Sequence, residues 1–213
     1  MRIKTVQQQI YYSSYNMVKR VFDILTSASM LIILLPVEII IVLIIYNEDR
    51  KSIFFKQKRI GLNKKPFTLY KFRSMSIVNA TSNENFDAGD QSRITRIGKI
   101  LRKTKLDELP QLYNVLIGDM SLVGPRPEVK KWVDFYPQQW AYILTMKPGI
   151  TDNASILYRN EEEILAKVVN PEKLYGEIIL PQKLNIYKDY ILNHSLIGDI
   201  QIIFRTIFSI VKH

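Results

Sequence analysis

The chain has 213 residues, a length that suits one domain with enough chain to bury a hydrophobic core. It contains no cysteine, which excludes a disulfide framework and a thiolate metal site. The formal net charge of +10 and the pI of about 9.6 predict an anionic partner, whether phosphates, anionic lipid or nucleic acid. Histidine occurs twice and late, as His194 and His213, which disfavours a His-based triad or a His-rich zinc site.

The first strong signal along the chain is an apolar segment at residues 21–46. A polar, tyrosine-rich stretch at residues 1–16 precedes it, and we expect this stretch to be a short amphipathic or flexible lead-in. It does not have the order of a signal peptide, since the apolar run comes later and no small-residue cleavage site follows. As one straight helix the apolar segment would be about 39 Å long, enough to cross a bilayer core of about 30 Å.

Three features favour a re-entrant helix that dips into one leaflet over a helix that crosses the membrane. Pro36 removes a backbone hydrogen bond in the middle of the segment and is expected to bend it. Asp23 and Glu38 lie within the segment, where carboxylates in lipid are costly. Basic residues flank both ends, which places both on the cytoplasmic side. A bitopic anchor is the alternative. The flanking basic residues are Lys19, Arg20, Arg50, Lys51, Lys56, Lys58 and Arg59.

A β-hairpin is predicted next. Residues 52–57 and 66–75 have the apolar and partly alternating pattern of strands, and residues 61–65 form the turn between them. Lys71 and Arg73 then project from the second strand, where a lone basic pair is usually exposed to solvent.

A basic helix is predicted at residues 93–103, after a polar loop at residues 77–91. Ser92 or Asp90 is expected to cap it. Such a helix suits an anionic membrane surface, although an ordinary solvated face over the core gives the same pattern. The apolar residues expected to share one face are Ile94, Ile97, Ile100 and Leu101.

Two adjacent carboxylates, Asp107 and Glu108, come next and are followed by Pro110. Proline is tolerated in the first turn of a helix, so we expect a helix that begins here, is capped by Asp107 or Thr104, and ends at Gly118. The positive end of a helix is a natural place for a phosphate or a reactive carboxylate. A capping box with a solvated Glu108 is the alternative.

Several further elements are expected after this helix. Ser121–Val123 reads as extended, and residues 124–127 as a rigid loop in which Arg126 can grip a phosphate with two hydrogen bonds. Residues 132–146 read as one helix whose aromatic side chains suit either a membrane interface or a core, and residues 147–151 as a turn. The apolar stripe of Leu196–Val211 predicts a helix that packs on the core or lies in the membrane interface.

Four motifs, in this order over roughly residues 18–212, resemble those of the bacterial sugar transferases, the monotopic polyprenol-phosphate phosphoglycosyl transferases. The motifs are Lys19-Arg20-x-x-Asp23, the stretch from Gly61 to Met75, the run LDELPQLYNVLIGDMSLVGPRPE at residues 106–128, and Lys147-Pro148-Gly149-Ile150-Thr151.

The resemblance implies an α+β fold at the cytoplasmic face of the bacterial inner membrane. It implies a lead-in at residues 1–18, a re-entrant helix–break–helix at 19–50, and a small mixed cytosolic catalytic domain at 51–213 with a β-hairpin and membrane-interface helices. The family usually has Ser before the proline of the bend, where this chain has Leu35, so the bend must rest on Pro36 and its neighbours. A homodimer is left open.

The implied reaction moves a sugar-1-phosphate from a nucleotide sugar, expected to be a UDP-sugar, to undecaprenyl phosphate, with release of UMP. Asp107 is the expected nucleophile, which forms a covalent phospho-sugar intermediate. Glu108 is expected to bind the metal or to help deprotonate and position the acceptor. The expected cofactor is Mg²⁺, with Asp107, Glu108 and Asp199 as ligands. The residues expected to bind substrate are Lys71, Arg102, Arg126 and Arg159.

The chain departs from the commonest family pattern at two places. Residues 152–155 read Asp-Asn-Ala-Ser where many members have Gly-Trp-Ala-Gln, and Tyr187 stands where Asp is frequent. Two other functions are kept as alternatives: direct transfer without a covalent intermediate, and a basic module that binds membrane lipid without catalysis. The apolar segment argues against a nucleic-acid partner for such a module.

Overall fold

The computed structural model of the chain describes residues 2–76 and 93–212. The first half contains α1 (Arg2–Asp49), β1 (Phe54–Ile60), β2 (Pro66–Phe72), α2 (Arg96–Thr104), α3 (Gln111–Ile117) and β3 (Ser121–Val123). The second half contains α4 (Lys130–Phe135), α5 (Pro137–Ile143), β4 (Gly149–Thr151), α6 (Asn153–Leu157), α7 (Glu161–Leu165), α8 (Pro171–Leu174), α9 (Leu180–Asn193) and α10 (Leu196–Val211). The predicted mixture of helix and sheet is confirmed, and the loop predicted at residues 77–91 lies outside the described residues.

The N-terminal helix α1 is continuous from the polar lead-in through the apolar segment. The lead-in is therefore helical, and helix continues through Pro36, so the predicted break does not interrupt it. Tyr15–Glu48 is long and apolar enough to cross a membrane, and 11% of its most apolar stretch is buried inside the structure. A bend within the continuous helix stays a prediction.

Both halves of α1 pack on the rest of the chain. Arg20 donates to the carbonyl oxygens of Val115 (2.6 Å) and Leu116 (2.9 Å) at the end of α3. Farther along, Ile41 and Ile45 are buried in a small apolar cluster with side chains of β2 and α2. The apolar side chains between these contacts are largely exposed, among them Ile32, Ile33, Leu35, Ile39 and Ile40.

The predicted hairpin is confirmed. Strands β1 and β2 pair antiparallel, with Phe55 opposite Lys71, and a 3₁₀ turn at Leu62–Lys64 joins them. The first strand begins two residues later than predicted and extends farther. Because side chains alternate across a strand, Phe67, Leu69 and Lys71 share one face of β2. Phe67 and Leu69 lie in the main core.

Helix α2 begins three residues later than predicted. Its N-cap is Thr95, whose side-chain oxygen accepts from the N–H of Gly98, so the predicted caps Ser92 and Asp90 were wrong. Leu101 is buried, whereas Ile100 is 58% exposed, which makes the apolar face narrower than predicted.

Parallel pairing of β3 with β4 forms a second, two-stranded sheet beside the main core. The residues predicted as a turn at 147–151 thus include a strand. Glycine is required where strand β4 meets the segment that follows β3, since a Cβ on Gly149 would lie 2.1 Å from the backbone nitrogen of Gly124. This close approach joins the loop that carries Arg126 to the strand β4.

The single helix predicted at residues 132–146 is instead two helices, α4 and α5, separated at Tyr136. Pro137 begins α5, because proline fits the first turn of a helix but not its interior. Trp132 and Trp140 are buried in the main core, as the core alternative predicted for them. The predicted stripe of α10 is confirmed as a helix, with Ile202 buried. The apolar residues of α10 that stay largely exposed are Ile197, Phe204, Ile207, Phe208 and Val211.

Candidate active site

The adjacent carboxylates lie in a 3₁₀ turn, Leu106–Glu108, that precedes α3. Lys105 enters this turn with a left-handed backbone (φ 58°), and Gly118 ends α3 with φ 98°, as predicted for the end of the helix. Thr104 donates its hydroxyl to the carbonyl of Ile100 (2.8 Å). The predicted capping by Thr104 or Asp107 was therefore wrong, and the carboxylates do not form the first turn of α3.

Glu108 is the ionised, paired member of the two. Its Oε1 accepts from Lys71 Nζ at 2.8 Å and from Arg126 Nη2 at 2.7 Å. Burial alone would raise the pKa of Glu108, but the charges of Arg126 and Lys71 hold that pKa well below its ordinary value. Glu108 in turn raises the pKa of Arg126. The four side chains of Asp107, Glu108, Lys71 and Arg126 are called the carboxylate pocket below.

Asp107 has the opposite character. It is 6% exposed, and its Oδ1 has no hydrogen-bond partner. Burial raises the pKa of Asp107, the nearby charge of Lys71 lowers it, and the charge of Glu108 raises it further. Buried carboxylate oxygens are normally satisfied, so an unpaired oxygen near the charge of Lys71 marks a position for a ligand or a reacting atom.

The hairpin and the second sheet together position Arg126. Its loop is held to the second sheet by two backbone bonds, from Gly124 N to the carbonyl of Thr151 (3.1 Å) and from Gly149 N to the carbonyl of Pro125 (3.0 Å). On the other side, the guanidinium of Arg59 in β1 donates to the carbonyl of Pro127 (3.1 Å). Lys71 on β2 and Arg126 therefore approach Glu108 from two rigid supports.

Sequence reasoning missed the ion pair that supports this loop. Arg59 Nη1 lies 3.1 Å from Glu128 Oε2, and the Tyr175 hydroxyl donates to the other Glu128 oxygen. Burial lowers the pKa of Arg59, although the charge of Glu128 opposes this. Glu128 is the last residue of the motif at residues 106–128, but nothing local in the sequence indicates its partner on β1.

The two departures from the family pattern meet in one buried region. Asp152 caps α6 through bonds to the backbone N–H of Ser155 (2.9 Å) and its hydroxyl (2.6 Å). Burial raises the pKa of Asp152, with Ser155 and then Arg126 opposing the shift. Burial also raises the pKa of Tyr187, and the charge of Asp152 adds to it. Both residues thus lie close enough to the carboxylate pocket to affect its electrostatics.

Two of the predicted substrate-binding arginines do not contact the pair. Arg102 donates to Ser74 Oγ (2.9 Å) and to Glu162 (2.9 Å). Burial is the main influence on the pKa of Asp107 and raises it, and the charge of Arg102 lowers that pKa by less than the charge of Lys71 does. Arg159 donates to the carbonyl of Ile210 (3.5 Å) in α10. Their predicted roles in substrate binding stay predictions.

Asp199 lies in a hydrogen-bond network that includes neither Asp107 nor Glu108, and its predicted role as a metal ligand stays a prediction. Its Oδ2 accepts from Lys19 Nζ (2.5 Å) and the Tyr15 hydroxyl (2.9 Å), and its Oδ1 accepts from the Tyr190 hydroxyl (2.7 Å). We call these four residues the Asp199 network. Both oxygens of Asp199 are thus bonded within the fold, and these bonds join α1, α9 and α10.

The donor set fits a metal only in part. Within residues 2–76 and 93–212, no group of three or more His, Cys, Asp or Glu side chains could hold a metal ion. Asp107 offers an unpaired buried oxygen, and Glu108 is bound to two cations. Mg²⁺ accepts few carboxylates when phosphate oxygens complete its shell, so the pocket fits an ion that arrives with a phosphorylated substrate.

The fold and the pocket define a class of protein: a small α+β domain attached to a long apolar helix, with a buried carboxylate pair held by a lysine and an arginine. Residues 14–213 match the family described as "Bacterial sugar transferase", and the chain belongs to that family.

The chain is also similar to relatives of known name. The chain is 33% identical over 201 residues to the UDP-N-acetylgalactosamine-undecaprenyl-phosphate N-acetylgalactosaminephosphotransferase of Aeromonas hydrophila, covering 92% of this chain and 44% of the relative. It is 37% identical to the UDP-glucose:undecaprenyl-phosphate glucose-1-phosphate transferase of Klebsiella pneumoniae, covering 91% and 40%. It is 32% identical to the exopolysaccharide production protein ExoY of Rhizobium meliloti, covering 90% and 84%. The chain thus spans less than half of the first two relatives and most of the third.

Proposed function

We propose that this chain transfers a sugar-1-phosphate from a UDP-sugar to undecaprenyl phosphate and releases UMP, as a membrane step of surface glycan synthesis. The names of the relatives support the substrate classes. The observation that carries the proposal is the asymmetry of the carboxylate pocket. Glu108 is fixed by Lys71 and Arg126, whereas the neighbouring Asp107 keeps a buried oxygen free.

Asp107 acts as the nucleophile in a two-step reaction. In the first step a carboxylate oxygen of Asp107 bonds to the β-phosphorus of the donor, and the bond from that phosphorus to the oxygen bridging the α-phosphate breaks. UMP leaves with the electron pair. In the second step an oxygen of the lipid phosphate attacks the same phosphorus, and the bond to Asp107 breaks, which restores its carboxylate. Because UMP leaves before the acceptor attacks, the site does not have to hold both phosphates of the donor and the acceptor phosphate together.

The cations of the pocket bind and orient phosphate. Lys71 and Arg126 keep Glu108 ionised, and their remaining donors can hold phosphate oxygens near Asp107. Glu108 holds these cations in place and can position the acceptor phosphate. Asp107 and Glu108 would hold Mg²⁺ together with substrate phosphates, where the ion supplies charge neutralisation to the diphosphate.

In this proposal α1 is a re-entrant helix at the cytoplasmic face of the inner membrane, and the packing of α1 supports the bend that such a helix needs. Arg20 bonds to the end of α3, and Ile45 clusters with Phe72 of β2. These supports adjoin each other, since Asn114 of α3 accepts from the N–H of Tyr70 in β2. A straight helix would separate Arg20 from Ile45 by about 37 Å, so a bend between them is the simpler way to reach both.

The test is the intact mass of the detergent-purified protein after incubation with Mg²⁺ and one of UDP-glucose, UDP-galactose or UDP-N-acetylgalactosamine, without lipid. We expect one sugar-phosphate to be added to the wild type, with release of UMP, and no addition to Asp107→Asn. As a matched control, Asp134→Asn changes an exposed carboxylate of α4 and should form the adduct like the wild type.

Two outcomes would contradict parts of this proposal. UMP release that requires lipid phosphate, with no adduct at any time, would favour direct transfer. No UMP release from any of the three donors, with or without undecaprenyl phosphate, would overturn the proposed activity for these sugars and favour the membrane-binding module.

A further inference from the structure

A second buried polar side chain without a partner follows Asp107 by four residues. Gln111 begins α3, is 1% exposed, and its Nε2 has no hydrogen-bond partner. Asn114 in the same helix shows the usual arrangement: its Nδ2 donates to the carbonyl of Thr68 (2.7 Å) and its Oδ1 accepts from Tyr70 N (3.1 Å). Buried amides are normally satisfied, and leaving one unsatisfied is costly, so the unpaired N–H of Gln111 calls for a ligand.

The backbone between Asp107 and Gln111 makes about one helical turn. Right-handed helical conformation continues from the 3₁₀ turn through Leu109 (φ −52°, ψ −39°) and Pro110 (φ −61°, ψ −15°) into α3. Residues four apart in an α-helix are neighbours, with Cβ atoms about 5–6 Å apart, and we infer that Asp107 and Gln111 are neighbours in a similar way. One of these buried atoms is an acceptor and the other a donor, yet they are not bonded to each other.

We propose that Gln111 is a catalytic residue that donates its Nε2–H to a non-bridging oxygen of the phosphoryl group while that group is bonded to Asp107. This inference rests on the proposed function. A phosphoryl group satisfies both unpaired atoms, because its phosphorus bonds to the carboxylate oxygen and its oxygens accept from the amide. A cation on Asp107 would leave the amide unsatisfied.

The other donors of the carboxylate pocket belong to cations that Glu108 already binds. Lys71 and Arg126 both bond to Glu108, so their charges are shared with a carboxylate. The amide of Gln111 is neutral and uncommitted, and its bond to a phosphoryl oxygen would be charge-assisted. Gln111 can therefore favour the phosphorylated state of Asp107 without also binding the free carboxylate of Glu108.

The first experiment uses beryllium fluoride, which mimics a phosphoryl group on an aspartate and does not depend on the identity of the sugar. Binding to the full chain with Mg²⁺ is measured by ¹⁹F NMR for the wild type, Asp107→Asn, Gln111→Met and Gln111→Glu. We expect binding to the wild type and none to Asp107→Asn. Gln111→Met, which removes the donor at similar volume, should weaken binding about ten- to hundredfold, and Gln111→Glu at least as much.

The second experiment separates this role from a structural one. Replacement of an unsatisfied buried amide by an apolar side chain is expected to leave the melting temperature unchanged or raise it, so Gln111→Met should not be less stable than the wild type. Asn114→Leu removes a satisfied amide and should melt at a lower temperature. A structural Gln111 would instead show a lower melting temperature and unchanged affinity for beryllium fluoride.

The outcomes distinguish this inference from the proposed function. Equal binding of beryllium fluoride by the wild type and Gln111→Met, or no binding by the wild type, would overturn the role of Gln111. Binding that depends on Asp107 and Gln111, together with no sugar-phosphate adduct from any UDP-sugar, would support Gln111 as a phosphoryl ligand and contradict the proposed reaction.

Discussion

The carboxylate pocket and the Asp199 network both bury carboxylates beside lysine, and they differ in how fully the carboxylates are bonded. Asp199 is 1% exposed and accepts from Lys19, Tyr15 and Tyr190. Asp107 is nearly as buried, yet its Oδ1 has no partner. Burial and charge are therefore shared by the two regions, and the difference lies in hydrogen bonding.

This difference separates a structural role from a chemical one. A buried ion pair whose oxygens are all bonded contributes to stability only while every partner is present. An unbonded carboxylate oxygen beside ionised neighbours destabilises the fold, and such strain is typical of sites where a substrate completes the bonding. We therefore expect substitutions of Asp107 and of Asp199 to have opposite effects on activity and stability.

The largest expected effect is the loss of activity in Asp107→Asn. Removal of the nucleophile should lower turnover by at least about 10³-fold. Stability should change in the other direction. Because the pKa of Asp107 is raised in the fold, its stabilising contribution is present at low pH and is lost as the pH rises through that raised pKa.

Melting temperatures across a pH series check the second part of that prediction. Asp107→Asn should match the wild type at low pH and melt at a higher temperature near neutral pH, since the variant carries no charge there. A lower melting temperature at neutral pH would mean that the ionised Asp107 is well bonded in the fold.

Glu108→Gln should do the reverse for stability. The pKa of Glu108 is held below its ordinary value, so its contribution is present above that value and is lost as the pH falls through the lowered pKa. Near neutral pH the variant leaves Lys71 and Arg126 without their carboxylate, which we expect to cost about 3 kcal/mol of unfolding free energy. Denaturation in detergent at pH 7 measures it, and equal stability of the two proteins would contradict the pairing.

Asp199→Asn tests whether the Asp199 network is only structural. The change leaves Lys19 buried without its counter-charge and should cost about 3 kcal/mol of unfolding free energy. Turnover per folded molecule, measured below the melting temperature with UMP release as the readout, should stay within about twofold of the wild type. A large fall in turnover with a shifted Mg²⁺ dependence would instead restore Asp199 as a metal ligand.

Local patterns were sufficient for much of the fold and for part of the pocket. Alternation and a glycine turn predicted the hairpin. The rigid loop indicated Arg126 as a residue of the site, although its bond to Glu108 was not predicted. The split between α4 and α5 also had a local signal in Pro137, which the aromatic pattern of the predicted single helix outweighed. The cap at Thr95 was missed because Ser92 and Asp90 cap equally well by residue type.

Long-range pairings were beyond local patterns. Arg59 and Glu128 are 69 residues apart, and Lys19 and Asp199 are 180 apart. Which lysine meets which carboxylate is decided by the packing of α1 and the hairpin on the core, and residue types alone do not specify it. For the same reason, the difference between Asp107 and Asp199 became visible only when the partners of each oxygen were known.

The pH dependence of adduct formation gives a smaller effect within the pocket. Asp107 must be ionised to attack, so the rate should rise with pH through its raised pKa. Burial is the main cause of the raised pKa of Asp107, and the charge of Lys71 lowers that pKa. Lys71→Met should therefore move the midpoint of the rate profile to higher pH, whereas Lys71→Arg should restore it. Single-turnover rates from pH 4 to pH 8 measure the shift, and coincident profiles would contradict the coupling of Lys71 to Asp107.

The smallest effect is expected for Tyr190→Phe, which removes one bond to Asp199 and keeps the ring. Since a hydrogen bond to a charged group contributes about 1.5–3 kcal/mol, the variant should lose up to that amount of stability. Tyr142→Phe, at a half-exposed position on α5, is the matched control and should change stability by less than about 0.5 kcal/mol. If both variants were equally stable, the hydrogen bond from Tyr190 to Asp199 would not stabilise the fold. Hydrogen bonding would then no longer separate the Asp199 network from the carboxylate pocket.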